Sequence, residues 1–255
     1  MTGPEVAAFV VFGLMVGSFL NVCISRLPAG ESIVRPGSRC PACKTPIRWR
    51  DNVPVLSYAL LRGRCRACGR PIPLRYPIVE AAAAGAFGIG AALFGGDPPL
   101  LASRLALTAL LIVLFGTDLE TQRLPNVLTI PGTVAGLVFS LVVPPGPVAS
   151  LAGAAAGAGI LLGIRWLWWR MSGVEAMGLG DVKMLAMIGA FLGWQQVWLV
   201  LLLASVGGAL VGLGLAATGA RSMQSRLPFG TFLAVAAAVS AFAGDRILAW
   251  YIGVL

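Results

Sequence analysis

The sequence has no histidine at any of its 255 positions. This one absence removes Ser-His-Asp and Cys-His catalysis and every His-ligated metal centre. Acid–base chemistry near neutral pH is left to perturbed carboxylates, Lys, Cys or Tyr. Charge is scarce as well: 11% of the residues are charged, against about a quarter in a typical soluble domain. Only ten residues are acidic, so the search for a catalytic carboxylate is short. No basic residue precedes the first apolar run, only Glu5, and a cleaved signal peptide is not expected. Internal repeats of about 20–50 residues are not evident, nor is a low-complexity linker, although 81–92 is rich in Ala and Gly.

What the chain has in abundance is apolar sequence, at 58% of residues. Residues 197–217, VWLVLLLASVGGALVGLGLAA, are long enough to cross a hydrocarbon core of about 30 Å. Hydropathy predicts an all-α polytopic membrane protein with about eight transmembrane helices. They fall near 5–25, 77–95, 99–118, 126–143, 148–169, 182–193, 197–217 and 229–253. The sixth is short, and it either tilts, begins earlier or forms a broken hairpin with the seventh around Trp194-Gln195-Gln196. Glycines recur at four-residue spacing, as in Gly132/Gly136, Gly153/Gly157, Gly189/Gly193 and Gly208/Gly212, which suits close helix packing in lipid.

Basic residues are unevenly placed. Eleven of the nineteen lie between Arg26 and Arg75, opposed there only by Glu31 and Asp51. Eight spans put residues 26–76, 119–125, 170–181 and 218–228 on one side. With Arg165 and Lys183 at span ends, that side holds seventeen of the nineteen Lys and Arg. Short cytoplasmic loops collect such charge, so this side is read as cytoplasmic, with both termini outside. The domain reading is a first span over 1–25, a cytoplasmic domain over 26–76 and a seven-helix membrane domain over 77–255. The basic segment is read as lying against anionic lipid headgroups rather than binding nucleic acid.

Within that segment, Cys40-Pro-Ala-Cys43 and Cys65-Arg-Ala-Cys68 form two C-x2-C pairs with twenty-one residues between them. Each pair can set two thiolates on one metal, and two pairs complete a tetrahedron. A reducing cytoplasm favours a structural Zn2+ over two disulfides. Four protein ligands leave no open position for catalysis. Cys23, inside the first span, is read as a packing residue.

Ionisable residues at membrane depth are functional candidates. Glu5, Asp97 and Asp245 fall at the outer ends of spans, where hydration is cheap. Asp118 ends the run LALTALLIVLFGTD, and Asp181 follows Met177-Gly178-Leu179-Gly180 at the start of the sixth span. Both belong to the cytoplasmic boundary. Paired carboxylates sharing a proton are what aspartic proteolysis needs. The bland alternatives are a helix-end residue for Asp118 and an N-cap for Asp181. Gly178 and Gly180 give a substrate strand room beside Asp181. Lys183 lies on a different helix face and is a candidate substrate contact. Glu120 and Glu175 are read as solvated.

These residues resemble a known family. Gly17-Ser18-Phe19-Leu20-Asn21-Val22 with Arg26-Leu27-Pro28 looks like the start of type IV prepilin peptidases. The similarity continues through both cysteine pairs, Asp51-Asn52-Val53-Pro54, and Arg75-Tyr76-Pro77-Ile78-Val79-Glu80. It then takes in Asp118 with Leu124-Pro125-Asn126, Gly178-Leu179-Gly180-Asp181-Val182-Lys183, and Leu227-Pro228-Phe229-Gly230-Thr231-Phe232-Leu233-Ala234. The resemblance implies a bacterial inner-membrane endopeptidase that cuts the basic leader from prepilins and type II secretion pseudopilins. It implies catalytic roles for Asp118 and Asp181 and zinc ligation by Cys40, Cys43, Cys65 and Cys68. It also implies S-adenosylmethionine-dependent methylation of the new N-terminus in many members. The residues themselves show no Rossmann-type glycine fingerprint for a methyl donor.

Overall fold

Every long apolar run becomes a helix in the computed structural model, which describes residues 1–174, 177–218 and 228–254. Glu175, Arg221, Arg226 and Leu227 lie outside the described residues. The elements are α1 (Gly3–Arg26), α2 (Leu56–Leu60), α3 (Arg75–Phe94), α4 (Pro98–Thr121), α5 (Asn126–Phe139), α6 (Pro147–Ser172), α7 (Leu179–Leu192), α8 (Trp194–Ala217) and α9 (Phe229–Val254). Among the described residues there is no β-sheet, only two isolated bridges, Arg39 with Pro46 and Arg64 with Pro71. By length and composition six of the helices can cross a membrane: α1, α3, α4, α6, α8 and α9. The other two apolar helices, α5 and α7, have 14 residues each, about 21 Å of rise. The chain divides into two compact units, Met1–Leu101 and Ala102–Leu255.

In the first unit α1 and α3 run antiparallel at close range. A Cβ on Gly13 would fall 2.7 Å from the Ala83 carbonyl oxygen, and one on Gly17 would fall 2.7 Å from Glu80 Cα. Only hydrogen fits at these positions, and the glycines let the backbones approach. Asn21 adds polar glue, donating from Nδ2 to the Tyr76 carbonyl at 3.1 Å. Buried Glu80 accepts the Val55 N–H at 2.7 Å, which ties the intervening loop to α3. Such bonds matter because a buried polar group without a partner costs about 1–3 kcal/mol.

In the second unit α7 is the central helix. Nine of its residues, from Val182 to Leu192, are buried, and it packs against α5, α6, α8 and α9. A helix wrapped by others meets little lipid, so it need not match the bilayer thickness; this accounts for the short sixth span. Again the approach rests on glycine. Gly153 of α6 and Gly189 of α7 meet backbone to backbone, and a Cβ on Gly157 would fall 2.6 Å from the Leu185 carbonyl. Gly132 and Gly136 of α5 instead make room for the side chains of Met187 and Phe191. Around α7 gather Leu107, Leu111, Leu114, Leu161, Val197, Val200 and Leu233. The break between α7 and α8 falls at Gly193, at φ 84°, and Trp194 already begins α8.

Candidate active site and metal site

Asp118 sits in the last turn of α4, three residues before Thr121. Its side chain is 4% exposed. One oxygen, Oδ2, accepts two hydrogen bonds from Thr231: the backbone N–H at 2.7 Å and the hydroxyl at 3.1 Å. Thr231 is the third residue of α9, where a helix has backbone donors without intrahelical partners. So a residue at the end of one helix is received by the start of another. Gly230 makes that approach possible, because a Cβ there would fall 2.9 Å from Asp118 Oδ2.

Asp181 is the third residue of α7, and the N-cap of that helix is Gly178 rather than an aspartate. Its carboxyl group is half-buried and interacts electrostatically with that of Asp118. The fold therefore brings together two carboxyl groups that are 63 positions apart in sequence. The two glycines before Asp181 differ in their surroundings. A Cβ on Gly178 would make ordinary contacts, 3.8 Å from the Gly180 nitrogen and 3.9 Å from Asp181 Oδ2. The space beside Gly180 is taken by Leu124, which a Cβ would meet at 2.9 Å. Lys183 donates from Nζ to Asn126 Oδ1 at 2.9 Å, linking α7 to the start of α5. Arg165 of α6 donates to the Met177 carbonyl at 2.5 Å and holds the segment that leads into Gly178.

Hydropathy and composition did not single out Thr231, Gly230, Leu124 or Arg165 as site residues. The contacts that give them meaning join residues far apart in the chain, and no local period records that. The available signal was the Pro228-Phe229-Gly230-Thr231 stretch, a helix start with a hydroxyl in its first turn.

The four cysteines form a separate site in the first unit. Their sulfur atoms all lie within 4.8 Å of one another, and none is in a disulfide. Cys40 Sγ and Cys68 Sγ are 3.9 Å apart. Tetrahedral thiolates at about 2.3 Å from a metal stand about 3.8 Å apart, so the donor set fits one four-coordinate ion. The two knuckles repeat one backbone pattern. Cys40 N–H donates to the Thr45 carbonyl and Lys44 N–H to the Cys40 carbonyl; Cys65 N–H donates to the Arg70 carbonyl and Gly69 N–H to the Cys65 carbonyl. Arg66, inside the second knuckle, clamps Asp51 with a nitrogen–oxygen distance of 2.7 Å, and this guanidinium holds the Asp51 carboxyl below the usual carboxylate range.

Comparison with known proteins matches both parts of the chain. Residues 11–94 match the bacterial peptidase A24 N-terminal domain, and residues 105–213 match the type IV leader peptidase family. A relative from Burkholderia pseudomallei (strain 1026b), named prepilin leader peptidase/N-methyltransferase, is 41% identical over 95% of this chain and 87% of its own. Relatives with the same name from Aeromonas hydrophila and Pseudomonas putida are 38% and 40% identical, over 95% and 94% of this chain and 92% and 91% of theirs. No solved structure matches. The chain belongs to the type IV leader peptidase family, with a bacterial A24 N-terminal domain ahead of the peptidase region.

Proposed function

We propose that this multi-pass membrane protein is an aspartic endopeptidase that removes the basic leader from type IV prepilins and pseudopilins. Asp118 and Asp181 are its catalytic pair. The observation that carries the reading is the nearness of these two carboxyl groups, close enough for the charge of Asp118 to act on Asp181 and both flanking Leu124, in a chain without histidine. One carboxylate takes a proton from a water molecule, whose oxygen attacks the scissile carbonyl carbon. The other carboxyl, protonated, gives its proton to the carbonyl oxygen. The resulting diol collapses: one hydroxyl proton returns to the second carboxylate, the first passes its proton to the amine nitrogen, and the C–N bond breaks. Two carboxyl groups sharing one proton suit this cycle, since both cannot easily ionise together.

Gly178 leaves backbone space beside Asp181 for an extended substrate segment, with Gly180 setting the packing behind it. Lys183, held by Asn126, is the substrate contact on the α7 side. The excess of Lys and Arg in 26–76, 119–125 and 170–181 supports a cytoplasmic position, at a bacterial inner membrane, for the catalytic boundary and the four-cysteine segment. There the enzyme meets a substrate cut just outside its apolar segment.

The metal held by Cys40, Cys43, Cys65 and Cys68 is Zn2+ in a structural role, as four thiolates close the coordination sphere. Methylation of the new N-terminal amine, with S-adenosylmethionine as donor, is a second activity proposed from the relatives' names. A Rossmann phosphate turn follows a strand, and no strand is present among the described residues.

The test is cleavage of a membrane-reconstituted prepilin by wild type, Asp118→Asn and Asp181→Asn, with folding checked for each and products read by mass spectrometry. Leader removal by wild type and failure of both folded variants supports the reading. Cleavage by either folded variant overturns it.

A further inference from the structure

We infer that Thr231 is a positioning residue for the reaction: it fixes Oδ1 of Asp118 as the oxygen that exchanges the proton. The inference rests on the reading of Asp118 as a catalytic carboxylate. It starts from the two donors that converge on Oδ2, the N–H at 2.7 Å and the hydroxyl at 3.1 Å. An oxygen that accepts two hydrogen bonds offers its lone pairs to those donors and carries no proton itself. A proton on Asp118 therefore resides on Oδ1, and a proton taken from water arrives there. Free carboxyl groups rotate and exchange their two oxygens; this one is locked at the level of a single atom. Pre-set geometry of this kind is what an active-site group requires, because a misplaced donor or acceptor costs rate without affecting substrate binding.

The arrangement is specific to the residues present. The backbone N–H is offered because it lies in the first turn of α9 and has no intrahelical acceptor. The hydroxyl is offered because position 231 is threonine. Both reach the carboxylate because Gly230 has no Cβ to push Asp118 away. The site is buried, with Asp118 4% and Thr231 9% exposed, so water does not easily replace a lost donor.

The experiment measures kcat and KM for prepilin cleavage, with thermal stability in detergent, for Thr231→Val, Thr231→Ser and Thr231→Ala beside Asp118→Asn. Valine keeps the shape and removes the hydroxyl; serine keeps the hydroxyl and loses a methyl. Thr231→Val is expected to lower kcat about tenfold, with KM unchanged, the scale of one hydrogen bond to a charged group. Thr231→Ser is expected to stay near wild type. Should the valine variant fail to fold, the serine–alanine pair decides, with alanine slow and serine active. Equal kcat for the hydroxyl-bearing and hydroxyl-free variants overturns the inference while Asp118→Asn remains inactive. Loss in all three Thr231 variants, or a loss confined to KM, overturns it too and makes the residue a packing or binding element. Activity in folded Asp118→Asn defeats the catalytic reading itself.

Discussion

Leu124 fills the space that a side chain at position 180 would need. A Cβ built on Gly180 falls 2.9 Å from Leu124 Cβ and 3.2 Å from its Cδ1; the same Cδ1 lies 3.0 Å from a Cβ built on Gly230. One leucine thus touches both the segment that carries Asp181 and the glycine that admits Asp118 to α9. Gly180→Ala must push Leu124 or α7 away, at a cost of about 1–3 kcal/mol in overpacking. Cleavage should fall with it, since the Asp181 carboxyl moves with its helix. Leu124→Gly should recover part of the loss in the double variant, because it removes the Cβ that a side chain at position 180 meets first, and the two changes share one space. Thermal unfolding and cleavage rates of the two single variants and the double variant check this. Additive losses would show that the leucine and the glycine do not act on each other.

The cysteine cluster predicts a stability effect rather than a catalytic one. A closed four-thiolate site contributes its binding energy to folding. Metal analysis should find one zinc per chain. Chelation, or any one of Cys40→Ser, Cys43→Ser, Cys65→Ser and Cys68→Ser, should lower the unfolding temperature and the yield. Metal-free protein that unfolds at the wild-type temperature would contradict a structural role.

The repeat between the two knuckles leads to a substitution that should stabilise. Lys44 and Gly69 occupy equivalent positions, at φ 60° and φ 69°. Glycine tolerates this left-handed conformation, whereas a residue with a Cβ is strained there by about 1 kcal/mol. Lys44→Gly is expected to make the first knuckle as relaxed as the second. The check is zinc retention against a competing chelator at graded concentrations: the variant should release its metal at higher chelator than wild type. Release at lower chelator would mean that the lysine side chain contributes more than its backbone costs.

Much of this architecture is legible from composition, and the limits of legibility follow from what hydropathy measures. Apolar runs mark the eight helices because the solvent they face is uniform. Runs cannot tell that α7 faces other helices instead of lipid, so its 14 residues read as a defective span. Asp118 and Asp181 stand out because ionisable residues at span ends are so few in this chain. Their mutual approach depends on how the helices pack. Read from its own helix, Asp118 looks like a C-terminal residue meeting water; in space it meets the N-terminal turn of α9. Thr231 acquires a role only from a contact 113 positions away, and Gly180 acquires one only from Leu124.

A second polar network lies along α4 and α9, away from the carboxyls of Asp118 and Asp181. Arg104 precedes Asp118 by fourteen residues on α4, and Asp245 follows Thr231 by fourteen on α9, about 21 Å along each axis. There Gln196 of α8 donates from Nε2 to Asp245 Oδ1 at 2.7 Å, and Ser240 donates to Gln196 Oε1 at 2.6 Å. Buried Arg104 attracts Asp245 electrostatically. Gln196, 5% exposed, is the link that both donates and accepts. Gln196→Leu leaves the Ser240 hydroxyl without its acceptor and Asp245 without one donor, at a cost of about 1–3 kcal/mol. Gln196→Glu should be milder, because two close carboxyl groups share one proton and the protonated glutamate still donates to Asp245 and accepts from Ser240. Both variants should unfold at lower temperature in detergent, leucine below glutamate. The kcat of the folded fraction should change little, since the network does not touch Asp118 or Asp181. A leucine variant as stable as wild type would remove the network from the account of what holds α8 to α9.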